Sequence, residues 1–260
     1  ICNVTNLHVK TALKLAEFNI HLFIEKPLSN SLNNVHYLQK IIKQKKLITH
    51  VGCVMRFHPC LQKIKKILDT KKLGKIMSVQ VQNGSFLPDW HPYENYKKNY
   101  AARKDLGGGV VLTCIHEIDY LNWFFHKVKE VNSFLGKVSN LGITGEDLAS
   151  FLLRFQSNMV AEVHLDYFQK PAERNGKIIG TNGKLIWDFT TNSVKLYDID
   201  KKRWIEILKS HRFNKNKMYQ DELNYFINCI NDKKESFNNI TKASKVLEIA
   251  LAVKESDKYK

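Results

Sequence analysis

The stretch Leu7–Pro27, LHVKTALKLAEFNIHLFIEKP, decides the architecture of the first part of the chain. Val9, Ala12, Leu13 and Ala16 recur at spacings of three and four, so Leu7–Phe18 reads as an amphipathic helix. Ile20–Ile24 follows at once as a short, mostly apolar strand. Working outward, Val35, Leu38, Ile41 and Ile42 mark a second helix, and Leu47–Val54 reads as a second strand. A third helix follows Pro59, with Leu61, Ile64, Ile67 and Leu68 on one face and Gly74 as its stop signal. Helix, strand, helix, strand with short links is the pattern of a parallel sheet covered by helices.

Beyond Gly74 the pattern changes. Ile76–Phe86 alternates as a half-exposed strand, residues 87–106 form a long aromatic and polar loop, and Gly107–Gly109 opens an apolar helix ending near Phe125. Strands then dominate: Val131–Val138, Leu148–Phe155, Met159–Phe168, Lys177–Gly180, Lys184–Phe189, Val194–Ile199 and Trp204–Leu208. Two helices close the chain, near Met218–Ile230 and Thr241–Glu255. The fold class is thus α/β plus α+β. A Rossmann-type parallel sheet, partial, occupies residues 1–75, and a mostly antiparallel open-sheet α+β domain occupies 76–260.

The 260 residues are 43% hydrophobic, a composition that supports a sizeable core. Lys and Arg exceed Asp and Glu by 41 to 25, a net charge of +16, which suits anionic ligands such as nucleotides. Nucleic-acid binding would rest on charge alone, without an Arg-rich block or an aromatic-interleaved basic stripe. No apolar run reaches the length of a membrane span. The five cysteines, Cys2, Cys53, Cys60, Cys114 and Cys229, form no CxxC pair and read as reduced core thiols of a cytoplasmic protein. Cys53, His58 and Cys60 lack a second ligand cluster, so no metal site is expected.

Two places carry chemistry. Glu25, Lys26 and Pro27 sit at the C-terminal end of the first strand, where open α/β sheets bind ligands. A lysine there can move a proton. The same tripeptide also fits an exposed charged pair before a turn. The second place is the run Gly107–Tyr120. Its three glycines permit close backbone approach, and Thr113, His116, Asp119 and Tyr120 share one helical face. A His with a carboxylate one turn away is equipment for acid–base work. It is equally the pattern of two polar groups that satisfy each other at a buried interface.

Five motifs in order resemble the glucose–fructose oxidoreductase/inositol dehydrogenase (Gfo/Idh/MocA) family along nearly the whole chain. They are Asn6-Leu7-His8, Glu25-Lys26-Pro27-Leu28-Ser29, Val51–Pro59 with Arg56 and Phe57, Gly107–Asp119, and Gly180–Leu185. The resemblance implies an NAD(P)-dependent oxidoreductase of a sugar, nucleotide-sugar or polyol. It implies catalytic roles for Lys26 and His116, cofactor contacts from Asn6, His8, Glu25, Lys26 and Pro27, and substrate contacts from Arg56, Trp90, Tyr100, Arg103, Thr113 and Asp119. It also implies a homodimer or tetramer through the antiparallel sheet. The partners expected are a small sugar-type molecule, with neither nucleic acid nor membrane.

Two departures stand out. Thr113 occupies a position where many members carry Asp. No G-x-G-x-x-G occurs among the 260 residues, and the chain starts at Ile1. The resemblance therefore begins part-way into the nucleotide domain, with roughly two strand–helix units expected to precede it. An incomplete enzyme is one expectation, and a non-catalytic remnant acting only through its C-terminal sheet is the alternative. Residues 1–75 are expected to expose apolar surface and to be lost first on proteolysis.

Overall fold

The computed structural model describes residues 1–210 and 213–257. A short 3-10 turn at Thr5–Leu7 leads into helix α1, His8–Glu17, and strand β1, Leu22–Glu25. Helix α2, Val35–Gln44, and strand β2, Thr49–Gly52, follow. The strands pair in parallel, with Leu22 opposite Thr49 and Glu25 opposite Gly52. Leu22, Ile24 and Val51 are fully buried, which is what the apolar run dictates.

Neither edge of this two-stranded sheet is bare. The Ile1 amino group donates to the Phe23 carbonyl at 2.7 Å, and the Glu25 N–H donates back to the Ile1 carbonyl. On the other side, the Val51 N–H donates to the Asn238 carbonyl, and Asn238 Nδ2 donates to the Val51 carbonyl at 2.7 Å. The edge groups that would otherwise be orphaned are thereby satisfied.

Helix α3, Pro59–Asp69, starts on a favourable signal. Pro59 occupies the first turn, and His58 Nδ1 accepts the Cys60 N–H. Gly74 is not its stop: the helix ends at Thr70, and Gly74 lies in the next turn at φ +67°. A side chain there would meet Thr181 Oγ1 at 2.2 Å, so the glycine serves a close approach between two turns.

From Ile76 the chain builds one eight-stranded sheet. Its strands are β3 (Ile76–Gly84), β4 (Val128–Gly136), β5 (Leu148–Phe155), β6 (Val160–Asp166), β7 (Glu173–Gly180), β8 (Gly183–Asp188), β9 (Ser193–Asp198) and β10 (Arg203–Lys209). Their order is β10-β9-β8-β7-β3-β6-β5-β4. Only β3 and β6 pair in parallel; the other neighbours are antiparallel, because hairpins link most of them. The strands start and end within a few residues of the sequence expectation. Along β5, Phe151, Leu153 and Phe155 face the core, while Leu152 is 45% exposed on the opposite face.

The apolar helix after Gly109 is broken. Val110–Thr113 forms α4 and His116–Phe125 forms α5, with Cys114 and Ile115 between them. Helices α6, Lys215–Asn231, and α7, Ile240–Ser256, begin at asparagine caps, Asn214 and Asn239. Both helices pack on β2, and α7 also packs on β4 and α5. One hydrophobic core therefore runs from Val9 to Val253. Of the apolar surface expected to be exposed in residues 1–75, Phe18 at 73% and Ile20 at 45% are exposed, while the C-terminal helices and the Asn238 segment cover the strands.

Candidate functional site

The three glycines place α4 against its neighbours. A Cβ on Gly108 would lie 2.0 Å from the Tyr100 carbonyl oxygen, and Gly109 has φ +106°. No other residue type fits that approach without moving the backbone.

The helix break has a direct consequence. In an unbroken helix the Thr113 carbonyl would accept the Glu117 N–H. Here Glu117 N–H instead donates to the Cys114 carbonyl, at 3.4 Å. The Thr113 carbonyl is free, and Lys26 Nζ donates to it at 2.7 Å across 87 residues of sequence. That bond ties the C-terminal end of β1 to the turn just before His116. The peptide between Lys26 and Pro27 is cis.

His116 is 9% exposed, and its Nδ1 has no hydrogen-bond partner among the described residues. Burial first, then the positive charges of Lys26 and Arg174, hold its pKa well below the ordinary histidine value. The imidazole is therefore neutral at physiological pH. Thr113 Oγ1 is also buried, facing the Tyr167 hydroxyl. Its neighbour Tyr167 is fully buried, and the Tyr167 hydroxyl is raised well above its usual pKa, chiefly by that burial.

Several expected site residues are committed elsewhere. Arg56 is 3% exposed and forks onto Asp119, with Nε to Oδ2 at 2.8 Å and Nη2 to Oδ1 at 2.6 Å. Its guanidinium lies near the rings of Trp123 and Phe237 and lines a cavity of about 1280 Å³ that includes neither Lys26 nor His116. Arg56 and Asp119 thus neutralise each other in the core, and among the described residues Asp119 has no hydrogen bond to His116. His8 braces the turn after β1. Its ring nitrogens lie 2.8 Å from the Pro27 carbonyl and 2.9 Å from the Asn3 carbonyl.

The remaining expected residues lie around the glycine turn and the aromatic loop. Asn6 Nδ2 donates to the Asp105 carbonyl, while Asn6 Oδ1 is buried without a partner. Arg103 pairs with Asp105 at the surface. Trp90 Nε1 donates to Ser85 Oγ at 2.9 Å, and its ring meets Tyr167 edge-on at 5.4 Å. Tyr100 is half-buried. Glu25 Oε2 accepts the Lys26 N–H.

The sequence reading missed an ion pair beside His116. Glu117 is fully buried and accepts Arg174 Nε at 2.7 Å and Asn83 Nδ2 at 3.2 Å. The signal available was Glu117 itself, a carboxylate in an otherwise apolar helix, although its partner 57 residues away had no local mark. Tyr167 was missed because a tyrosine at a strand end is an ordinary core residue.

Asn6 Oδ1 and His116 Nδ1 are buried polar atoms a hydroxylated or amide-bearing ligand would satisfy.

Residues 61–186 match the GFO/IDH/MocA C-terminal domain. The chain is 26% identical over 137 residues to a levoglucosan dehydrogenase of Pseudarthrobacter phenanthrenivorans, covering 52% of this chain and 34% of that protein. It is 22% identical over 262 residues to the scyllo-inositol 2-dehydrogenase (NAD(+)) of Bacillus subtilis, covering 98% and 74%. The chain spans 34% to 55% of the length of three curated relatives it matches. Among solved structures, a levoglucosan dehydrogenase in complex with NADH and levoglucosan superposes with a TM-score of 0.89 at 18% identity, over 100% of this chain and 77% of that one. That likeness is one of fold.

Proposed function

We propose, from the match of residues 61–186 to the GFO/IDH/MocA C-terminal domain, that the chain is a Gfo/Idh/MocA member carrying the substrate side and the nicotinamide side of an NAD(P)-dependent oxidoreductase. The substrate would be a sugar, nucleotide-sugar or polyol, oxidised at a hydroxyl or reduced at a ketone. In this reading residues 1–75 serve the cofactor and residues 76–260 the substrate.

The observation that carries the reading is the Lys26 Nζ to Thr113 carbonyl bond beside a neutral, partnerless His116. Nicotinamide, when bound, supplies the hydride acceptor or donor. His116 takes the hydroxyl proton as the carbon is oxidised, or returns it in the reverse direction. Lys26 holds the reacting oxygen by hydrogen bonding, and its cation favours the negative charge that develops there. Thr113 offers a hydroxyl where many relatives have a carboxylate, so His116 is the base. Asn6 orients the cofactor's ring side through its free Oδ1. Trp90 and Tyr100 supply aromatic surface for a sugar face.

Equilibrium titration with NADH and NADPH, followed by turnover on a panel of polyols and nucleotide sugars, tests this. Saturable binding with turnover supports the reading. Binding of neither cofactor leaves the alternative, an interaction module using the eight-stranded sheet.

A further inference from the structure

Away from the glycine turn, three elements meet at a buried polar cluster. His50, in the middle of β2, is fully buried. Its Nδ1 lies 2.6 Å from Ser236 Oγ, and its Nε2 lies 3.1 Å from Glu222 Oε1. Glu222 sits on α6 and is 2% exposed; Ser236 sits between α6 and α7 and is 1% exposed. Ser236 Oγ also accepts the Asn238 N–H, and Asn238 in turn holds the edge of β2. The rings of Phe23, Tyr225, Phe226 and Phe237 surround His50 at centroid distances of 5.2 to 6.2 Å.

We propose that Glu222, His50 and Ser236 form a pH-operated latch that clamps α6 and the Asn238 segment onto β1 and β2. With both titratable partners neutral, Glu222 donates its carboxyl proton to His50 Nε2, and Nδ1–H donates to Ser236 Oγ. Deprotonating Glu222 leaves a carboxylate inside an aromatic cage and replaces that bond with one His50 can make only by changing tautomer. Such a charge favours opening to water.

The surrounding groups point the same way. From β1, Glu25 faces Glu222; from α5, Asp119 does so; both are acidic. Arg56 is the one opposing cation among those charges, and it is already forked onto Asp119. Cys53 lies beside the cluster after β2, and Tyr225 and Cys229 lie on α6 itself. Burial and then Glu25 and Asp119 push the Glu222 pKa up to about 8, while burial and then Arg56 lower that of His50 to about 4. The latch is therefore closed near neutrality and opens as Glu222 ionises. Phe226 of α6 packs on Phe23 of β1 at 5.6 Å, so opening loosens the strand that ends at Lys26. That last consequence for activity rests on the function proposed above; the latch itself does not.

Thiol protection reads the latch. Cys53 is buried under it. The whole protein is alkylated with iodoacetamide at about pH 6.5 and about pH 9, and each thiol is located by peptide mass spectrometry. Rates are divided by those of the unfolded protein at the same pH, to remove the thiolate effect. Protection of Cys53 should fall about tenfold or more at the higher pH in the wild type and stay constant in Glu222→Gln. Equal protection at both values in the wild type, or an equal fall in Glu222→Gln, overturns the proposal. Should Glu222→Gln fail to fold, hydrogen exchange of the Val51 and Ile240 amides in the wild type decides. After correction for intrinsic rates, acceleration at about pH 9 supports the latch and constancy sinks it. A latch that responds in a protein without NADH-linked turnover would count against the proposed function and leave the latch standing.

Discussion

At the scale of single residues, the site depends on how each polar group is paired. Lys26 and His116 lie 90 residues apart, and the Lys26 bond to the Thr113 carbonyl ties β1 to the turn three residues before His116. Replacing His116 with Asn should lower kcat by about 10²- to 10⁴-fold with little change in melting temperature, as expected for loss of a general base. Steady-state kinetics with a responsive polyol would show it. Because His116 is already neutral, the pH profile of kcat/KM should lack an acid limb centred on the ordinary histidine value of 6.5. An acid limb there that vanishes in His116→Asn would contradict the geometry. Arg56 and Asp119 should behave in the opposite way. Removing one partner strands a buried charge, so Asp119→Ala should cost about 3–5 kcal/mol of stability, measured by chemical denaturation. A loss of activity without loss of stability would return Asp119 to the substrate site.

At the scale of elements, the decisive feature is the interruption between α4 and α5. Its position was hidden because Val110–Phe125 keeps a helical pattern with no Gly or Pro to mark a break, and only the Lys26 bond to the Thr113 carbonyl shows where it falls. The glycines ahead of it were legible, since three in a row have few other uses. Gly108→Ala would drive a methyl group into the Tyr100 carbonyl. The strain should destabilise the protein by roughly 1–3 kcal/mol and displace Thr113 and Lys26 together. A melting curve beside cofactor titration would report both effects. If Gly108→Ala leaves both unchanged, α4 does not depend on that close approach.

Across the whole molecule, titration and surface chemistry set the behaviour. His50 and His58 are each lowered from 6.5 to about 4, and Glu222 is raised from 4.5 to about 8. Below pH 6.5 the unfolded chain binds protons that the two folded histidines refuse, so stability falls as pH drops towards 4. Glu222 works the other way: its contribution is full below 4.5 and is lost as pH rises through 8. The melting temperature should therefore peak near pH 6.5, and Glu222→Gln should remove the alkaline decline. The open face of the large sheet carries Phe134 at 65% exposure and Leu152 at 45%, around a groove of about 800 Å³. Such a patch predicts self-association through that face. Sedimentation at micromolar protein should show dimers or larger species, and Leu152→Asp should return the monomer. Limited proteolysis should cut first in the exposed segment 91–99 rather than before residue 76, because residues 1–75 share the single core.

Local pattern was enough to read the order of helices and strands, the two sheets and the glycine turn, and to mark Lys26 and His116 as candidates. Those features are local: hydrophobic periodicity, capping and turn chemistry act over a few residues and leave a readable pattern. Only the tertiary structure decided how the polar groups divide. Arg56 and Asp119 stand 63 residues apart, Glu117 and Arg174 57, and His50 and Glu222 172. No periodicity couples such pairs. A buried charge must find its partner through the packed core, so whether Arg56 meets a substrate or a carboxylate depends on three-dimensional proximity and on the high cost of leaving either charge alone.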